Sequence, residues 1–412
     1  MLDPESQVPL PKAPPPAGLV LLLTGLFANG ILAGTMYLPS LPTVGDDLGA
    51  ADQILPLTLT VFFATYAGGQ LIYGPLSDRY GRRPLLIGGQ VILVLGSLAC
   101  ALSGSMTAFL WSRALQGLGA ASAMATGRAI VNDAYDRKQA ARATSLISAA
   151  LAIAPVIAPV LGGLIEHYLT WRSGFWISGG ITVVVILLLI LLLPETLSGR
   201  PAGPGPLLRG IAAAYGYLLR SRAFLAFGLL NLAIFAGLHG FNAAAPSVLI
   251  DTLHIGVVHY GLLMAIGSGG YLAGSLLSSW LGRRIGLLRL IDLGVLCMVL
   301  SAVGLAAYTA IAGPDVAVII ALRVLWATGM GLAQPNTVVA AVGINPATLG
   351  AGAALSGFLQ TAGGGMGSAV NALFPAGDPL FLALTFGGTA VLGAIIWWSN
   401  RAAAGQALSE RE

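Results

Sequence analysis

Of 412 residues, 56% are hydrophobic and only 9% are charged, mean hydropathy is +0.85, and the formal net charge is +4. A soluble domain carries roughly 25% charged residues, so a water-soluble globular enzyme is excluded. The positive excess is distributed over short loops, which reads as membrane topology rather than as a nucleic-acid surface.

The chain opens with a Pro-rich stretch, Pro9 to Pro16 with Lys12 among them, that lacks the order of a secretory signal peptide. Residues 1–17 are read as a disordered cytoplasmic tail. Apolar runs then follow at 18–42, 54–74, 84–103, 106–131, 143–165 and 171–193, and again at 223–250, 259–281, 286–312, 316–342, 350–373 and 379–400. Crossing the hydrocarbon core takes about 20 helical residues, and in lipid the backbone polar groups must be satisfied within each helix. The expected fold is therefore an all-α membrane protein of about twelve transmembrane helices. They form two six-helix bundles, 18–193 and 223–400, with a cytoplasmic linker at 194–222 and a cytoplasmic tail at 401–412.

Basic loops are retained in the cytoplasm. Arg79, Arg82 and Arg83 follow the second run, Arg137, Lys138 and Arg142 the fourth, Arg200, Arg209, Arg220 and Arg222 the sixth, and Arg283, Arg284 and Arg289 the eighth. The intervening loops hold Asp46, Asp47, Asp52, Glu166, Asp251, Asp315 and Asp378, with Arg172 as their one strong base. Both termini are thus expected in the cytoplasm, with the protein multi-pass in the inner membrane. Cys100 and Cys297 lie in apolar spans without metal-ligand spacing, so a disulfide is unforced. No cofactor, metal site or catalytic constellation is expected.

The chain contains a repeat. Gly74-Pro-Leu-Ser-Asp78-Arg79-Tyr-Gly81-Arg82-Arg83 is echoed by Ser275-Leu-Leu-Ser-Ser279-Trp-Leu-Gly282-Arg283-Arg284, and Arg113 with Gly119 by Arg323 with Gly329. The first of these stretches resembles the cytoplasmic signature of the major facilitator superfamily. Arg113-Ala-Leu-Gln116-Gly117-Leu-Gly119 resembles its fourth-helix motif, and Ala154-Pro155-x-x-Ala158-Pro159-x-x-Gly162-Gly163 its exporter-associated fifth-helix motif. Tyr37-Leu38-Pro39-Ser-Leu-Pro42, Pro335-Asn336 and Ala354-Leu-Ser-Gly-Phe-Leu-Gln360 are similar to the Bcr/CflA drug-resistance branch. The resemblance implies a secondary transporter that exports drug-like compounds or metabolites by alternating access, in exchange for protons.

Gly74, Asp78, Arg79, Gly81, Arg82 and Arg83 are the expected conformational latch, an ion-pair network made in one state and broken in the other; plain topology-setting charge is the simpler alternative. Pro155, Pro159, Gly162 and Gly163 permit a bent helix in close backbone contact with another. Arg113 and Arg323 are charges inside spans, where such a residue costs about 2.5–3.5 kcal/mol on insertion scales unless it faces a cavity or a partner. Snorkelling to the interface would be the other outcome.

One departure from the branch stands out: Gly34-Thr35-Met36-Tyr37 carries no acid in the first span, so the cavity is expected to favour neutral or anionic solutes over cations. An organic-anion exchanger or facilitator using Arg113 and Arg323 is the alternative function. His239 and Asp133 are the candidate proton carriers, with Asp133 also expected in an ion-pair belt with Arg128 and Arg137. Asn29, Tyr37, Gln116, His239, Asn242, Asn336 and Gln360 complete the expected substrate contacts, with Gln70, Tyr66 and Phe241 beside them. The expected partners are a small-molecule substrate, protons and the lipid bilayer, for a protein acting as a monomer.

Overall fold

The computed structural model describes residues 18–197, 206–345 and 349–409. The expected disordered tail at 1–17 lies outside the described residues, as do the last three of the chain.

The described residues form fourteen α-helices joined by short turns. The first group is α1 (Leu19–Thr35), the short α2 (Leu41–Asp47), α3 (Leu57–Tyr80), α4 (Arg82–Ala101), α5 (Met106–Ala134), α6 (Arg137–Tyr168) and α7 (Trp171–Leu192). After α8 (Pro206–Arg220) come α9 (Arg222–Pro246), α10 (Val257–Ile285), α11 (Leu287–Ala312), α12 (Val316–Gly343), α13 (Leu349–Asn371) and α14 (Pro379–Ser409). Each expected span coincides largely with one helix, the first and seventh being interrupted near their ends.

Among the described residues, ten helices are long and apolar enough to cross a membrane. The other two long spans, α5 and α13, are diluted by Arg113, Gln116 and Arg128 and by a run of glycines. Both are enclosed by other helices: α5 packs on α3 and α4, and α13 on α9 and α3. A helix surrounded by protein needs small residues for close packing more than lipid-facing bulk. Outward faces elsewhere carry Leu187, Leu191, Leu276 and Ile311, all exposed, as lipid contact requires.

Local chemistry shifts three boundaries. The first span was expected to run unbroken to 42, but α1 ends at Thr35, a 3-10 turn covers Leu38–Ser40, and α2 restarts at Leu41. Pro39 and Pro42 have no N–H to continue the ladder. Pro246 likewise ends α9, and a π turn follows over Ser247–Thr252. The third change lies in the stretch expected to be only a Pro/Gly-rich linker, which contains α8, whose Leu218 packs into the core of the second bundle.

The bundles have separate cores. One cluster, with Phe224, Phe227, Trp326, Phe386 and Trp397, lies wholly in the second half. Three smaller clusters lie wholly in the first. Glycine sets the internal spacing at equivalent places: a Cβ on Gly119 would lie 2.3 Å from the Leu93 nitrogen of α4, and one on Gly329 2.5 Å from the Gly294 oxygen of α11. Between the halves, α3 packs on α13 and α6 on α10. Twelve crossings bring the start of α1 and the end of α14 to one face, called here the termini face.

Candidate functional site

Four places hold the polar and close-packed residues singled out in the sequence. The first is a knot inside the first bundle. Arg113 is completely buried, donating through Nη1 to the Ala33 carbonyl (3.0 Å), through Nη2 to the Gly34 carbonyl (3.1 Å), through Nε to the Thr58 carbonyl (3.4 Å) and to Gln116 Oε1. Its guanidinium also sits over Tyr37 and Phe62 at 4.3 and 4.4 Å. The carbonyls are available because α1 ends there, so its last acceptors lack helical partners. Tyr37 bonds Thr58 Oγ1 at 2.6 Å, and Gln116 donates to Ser97 at 2.9 Å. Asn29 donates to Thr182 at 2.8 Å, tying α1 to α7. Arg113, Tyr37, Gln116 and Asn29, expected among the substrate contacts, are thus all engaged with protein groups in this structure. Their side chains join helices within one bundle, and Arg113 is neither snorkelling nor exposed.

The second place is the middle of the contact between halves. His239 of α9 packs against Phe63 of α3 in a tilted ring contact, centroids 4.1 Å apart, and touches Gly364 of α13, where an added Cβ would come within 2.8 Å of its ring. Its Nδ1 has no hydrogen-bond partner. Gln70 of α3 donates to Thr361 of α13 at 2.7 Å, and a Cβ on Gly357 would lie 2.7 Å from Gln70 and 3.7 Å from Arg128. Arg128 keeps an exposed surface here. Asn242 and Gln360 are part-buried, whereas Asn336 donates to Ser278 at 2.8 Å and holds α12 to α10. Phe241 is fully buried in the second core, so it offers no face to a solute.

Arg323, the repeat counterpart of Arg113, differs from it. It is 3% exposed, its guanidinium lies 5.1 Å from the Phe241 ring and 5.3 Å from the Trp326 ring, and neither Nε nor Nη1 has an acceptor.

The third place is the ion network on the termini face. Arg82 is paired with Asp78 and, through Nε, with Asp133 (2.9 Å), while Nη1 donates to Ser77 (2.7 Å). This links α3, α4 and α5. Asp133 thus pairs with Arg82, while the side chain of Arg137, one of its expected partners, lies outside the described residues. Glu195, not anticipated from sequence, accepts from the backbone nitrogens of Arg82 (2.9 Å) and Arg83 (3.2 Å) at the start of α4, where a carboxylate also meets the positive end of the helix dipole. Gly81 adopts φ +98°, and a Cβ there would be 2.6 Å from Glu195. Arg83 donates to the Ile190 carbonyl at 2.6 Å. Arg79 is exposed and lies over its neighbour Tyr80, and Gly74 has open space where a Cβ would stand. Gly74 joins the network through its carbonyl, which accepts from Ser77 Oγ at 2.8 Å, whereas Arg79 enters none of its ion pairs. Glu195 was visible as the lone acid directly after the sixth apolar run.

The fourth place is a backbone seam on the opposite face. A Cβ on Gly162 would lie 1.9 Å from the Met36 carbonyl oxygen, and one on Gly163 2.5 Å from that of Val257. From the other side, a Cβ on Gly261 of α10 would lie 2.5 Å from the Pro159 oxygen. Pro155 and Pro159 stand inside α6, two and one turns before this contact. Arg172 pairs with Asp47, which also accepts from Trp171 Nε1 at 3.0 Å, fixing α7 to α2 on the same face. Both cysteines are free.

This arrangement, two six-span bundles around a polar midline, has counterparts among known proteins. A crystal structure of the peptide transporter POT superposes with a TM-score of 0.76 at 15% identity, covering 95% of each chain. Multidrug resistance protein D of Escherichia coli is 26% identical over 87% of this chain and 89% of its own. A chloramphenicol resistance protein of Pseudomonas aeruginosa is 31% identical over 78% of this chain and 75% of its own. The family model of the Major Facilitator Superfamily matches residues 22–368. With that family match over most of its length, the chain is a multi-pass membrane transporter and belongs to the Major Facilitator Superfamily.

Proposed function

We propose that this transporter exports small amphiphilic organic molecules across the cytoplasmic membrane by alternating access, in exchange for protons, and works as a monomer with both termini in the cytoplasm. The observation that carries this reading is the separation of the cores: each cluster of buried apolar residues stays within one half. The bundles can rock against each other without dismantling either interior, which is what moving a solute past a fixed site requires. The Arg82 network and the Gly162–Gly163 seam then act at opposite faces.

The solute would pass between Phe63, Tyr66, Gln70, His239, Asn242, Gln360 and Thr361, a mixture of flat apolar faces and neutral hydrogen-bonding groups suited to an uncharged or weakly acidic compound. The names of the two drug-resistance relatives favour an antimicrobial cargo. His239 is the proton carrier in this reading, since it stands between the halves with Nδ1 unengaged; Asp133 belongs to the Arg82 network instead. The organic-anion alternative retains one specific support, the unpaired Arg323.

Purified protein in proteoliposomes, loaded with chloramphenicol and, separately, with a lipophilic cation, tests this. Chloramphenicol efflux should accelerate when the solute's destination side is made acidic and should collapse with a protonophore. Efflux indifferent to the proton gradient sinks the antiport reading, and preference for the cation sinks the predicted selectivity.

A further inference from the structure

The two halves solve the same electrostatic problem differently. In the first, Arg113 meets three carbonyl oxygens and Gln116 three residues on. In the second, the residue three after Arg323 is Trp326, which has no acceptor to offer because an indole N–H only donates. Arg323 Nε and Nη1 and Trp326 Nε1 are all buried and all without a partner. The ion pairs formed among the described residues engage Arg82, Arg172 and Arg401, not Arg323. Nearby charge does not help, since the titratable neighbours are His239 and Tyr260, neither a carboxylate.

An arginine keeps its proton in any protein setting, and the Phe241 and Trp326 ring faces beneath the guanidinium offset only part of the cost of burying that charge without an anion. We propose that Arg323 and Trp326 form a buried anion site in the second bundle. Its ligand is a monovalent anionic group, either a halide or the carboxylate of a small organic acid. The two donors stand one turn apart on α12, with the guanidinium 5.3 Å from the Trp326 ring, and Phe241 forms an apolar wall 5.1 Å from the guanidinium. Walls of that kind disfavour a divalent anion, which gives up far more hydration than one guanidinium and one indole restore. The site deepens the transport reading and rests on it in one respect, that the region beside His239 is reached from the path between halves.

The test uses the full-length protein in detergent at constant ionic strength, titrated with chloride or with acetate against a gluconate background, with thermal unfolding and tryptophan fluorescence read together. A ligand of the native state raises the melting temperature in proportion to its saturation, and quenching should be lost in Trp326→Phe. Arg323→Gln should abolish the shift, and Trp326→Phe should weaken affinity about tenfold, as expected for removal of one hydrogen bond to a charged group. A response to chloride alone assigns a halide site, to acetate alone a carboxylate subsite, and to both a shared one. No response to either anion, or an equal response in Arg323→Gln, overturns the proposal. Should Arg323→Gln fail to fold, crystals of the wild type in bromide and in bromoacetate decide: anomalous density beside Arg323 in either supports the site, and its absence in both at saturating concentration refutes it. None of these readouts depends on transport, so their failure leaves the export reading standing, and failed proton-coupled export leaves the anion site standing.

Discussion

Replacing Gly162 by Ala puts one methyl group where α6 meets the break after α1. That carbon would stand 1.9 Å from the Met36 carbonyl oxygen, 3.0 Å from its carbon and 3.1 Å from Pro39 Cδ. Non-bonded heavy atoms sit at about 3.5–4.0 Å, and the nearest of these obstacles is backbone, which cannot swing aside as a side-chain tip can. Either α6 or the Met36–Pro39 segment must retreat, and overpacking of this kind typically costs about 1–3 kcal/mol. The gain in helix propensity from Gly to Ala, about 1 kcal/mol in exposed helices, does not offset it. Gly180 of α7, where a Cβ would meet nothing within 4 Å, is the control: Gly180→Ala should be neutral or slightly stabilising. Thermal unfolding of both variants in the same detergent gives the comparison. Gly162→Ala should melt several degrees below wild type and transport poorly, and equal melting temperatures for the two variants would refute the close-contact argument.

Further outcomes follow from the other sites. Arg113→Met should lower thermal stability by about 1–3 kcal/mol for each carbonyl left without a donor, with solute affinity of the folded fraction unchanged in a binding titration; a specific loss of affinity would return Arg113 to the cavity. Asp133→Asn removes one charge from the Arg82 network and should destabilise by about 1.5–3 kcal/mol, whereas Asp78→Asn should slow transport strongly with insertion intact, each read by unfolding and by vesicle uptake. Gly81→Ala combines a left-handed backbone with a clash against Glu195 and should be more damaging than Gly74→Ala, which has space; melting temperatures rank them. His239→Gln should retain solute counterflow but lose uphill export driven by a pH gradient, and unchanged gradient-driven export would move proton carriage elsewhere.

Hydropathy located the long helices because the bilayer demands a minimum length of apolar helix from most spans, and α5 and α13 remain legible although polar and small residues dilute them. The repeat was equally plain, since Gly119 and Gly329 mark equivalent close approaches to α4 and α11. What one dimension concealed was direction. Arg113 and Arg323 look alike in sequence, yet the partners that separate them come from elsewhere: the frayed carbonyl end of α1 reaches one and nothing comparable reaches the other. Asn29, Tyr37 and Gln116 were assigned to a cavity for being polar in lipid, but a polar side chain bonded to a neighbouring helix satisfies the same requirement. Cross-half partners such as Thr361 and Phe63 carry no local signal, being ordinary residues made important by what stands opposite. Asn231, buried in α9 with both amide atoms unpartnered, escaped the sequence reading for the same reason.

Glu195 also says something about how the protein is made. It clasps the first backbone amides of α4, a helix laid down about a hundred residues earlier, at a translation pace of roughly 5–20 residues per second. Through the seconds between, that helix start is left without its acceptor and the first bundle without its fastening, until its last span and the acid behind it have emerged from the ribosome. The fastening of the first half thus comes from its final residues, and a released chain ending just short of Glu195 should be more open to protease than one that includes it.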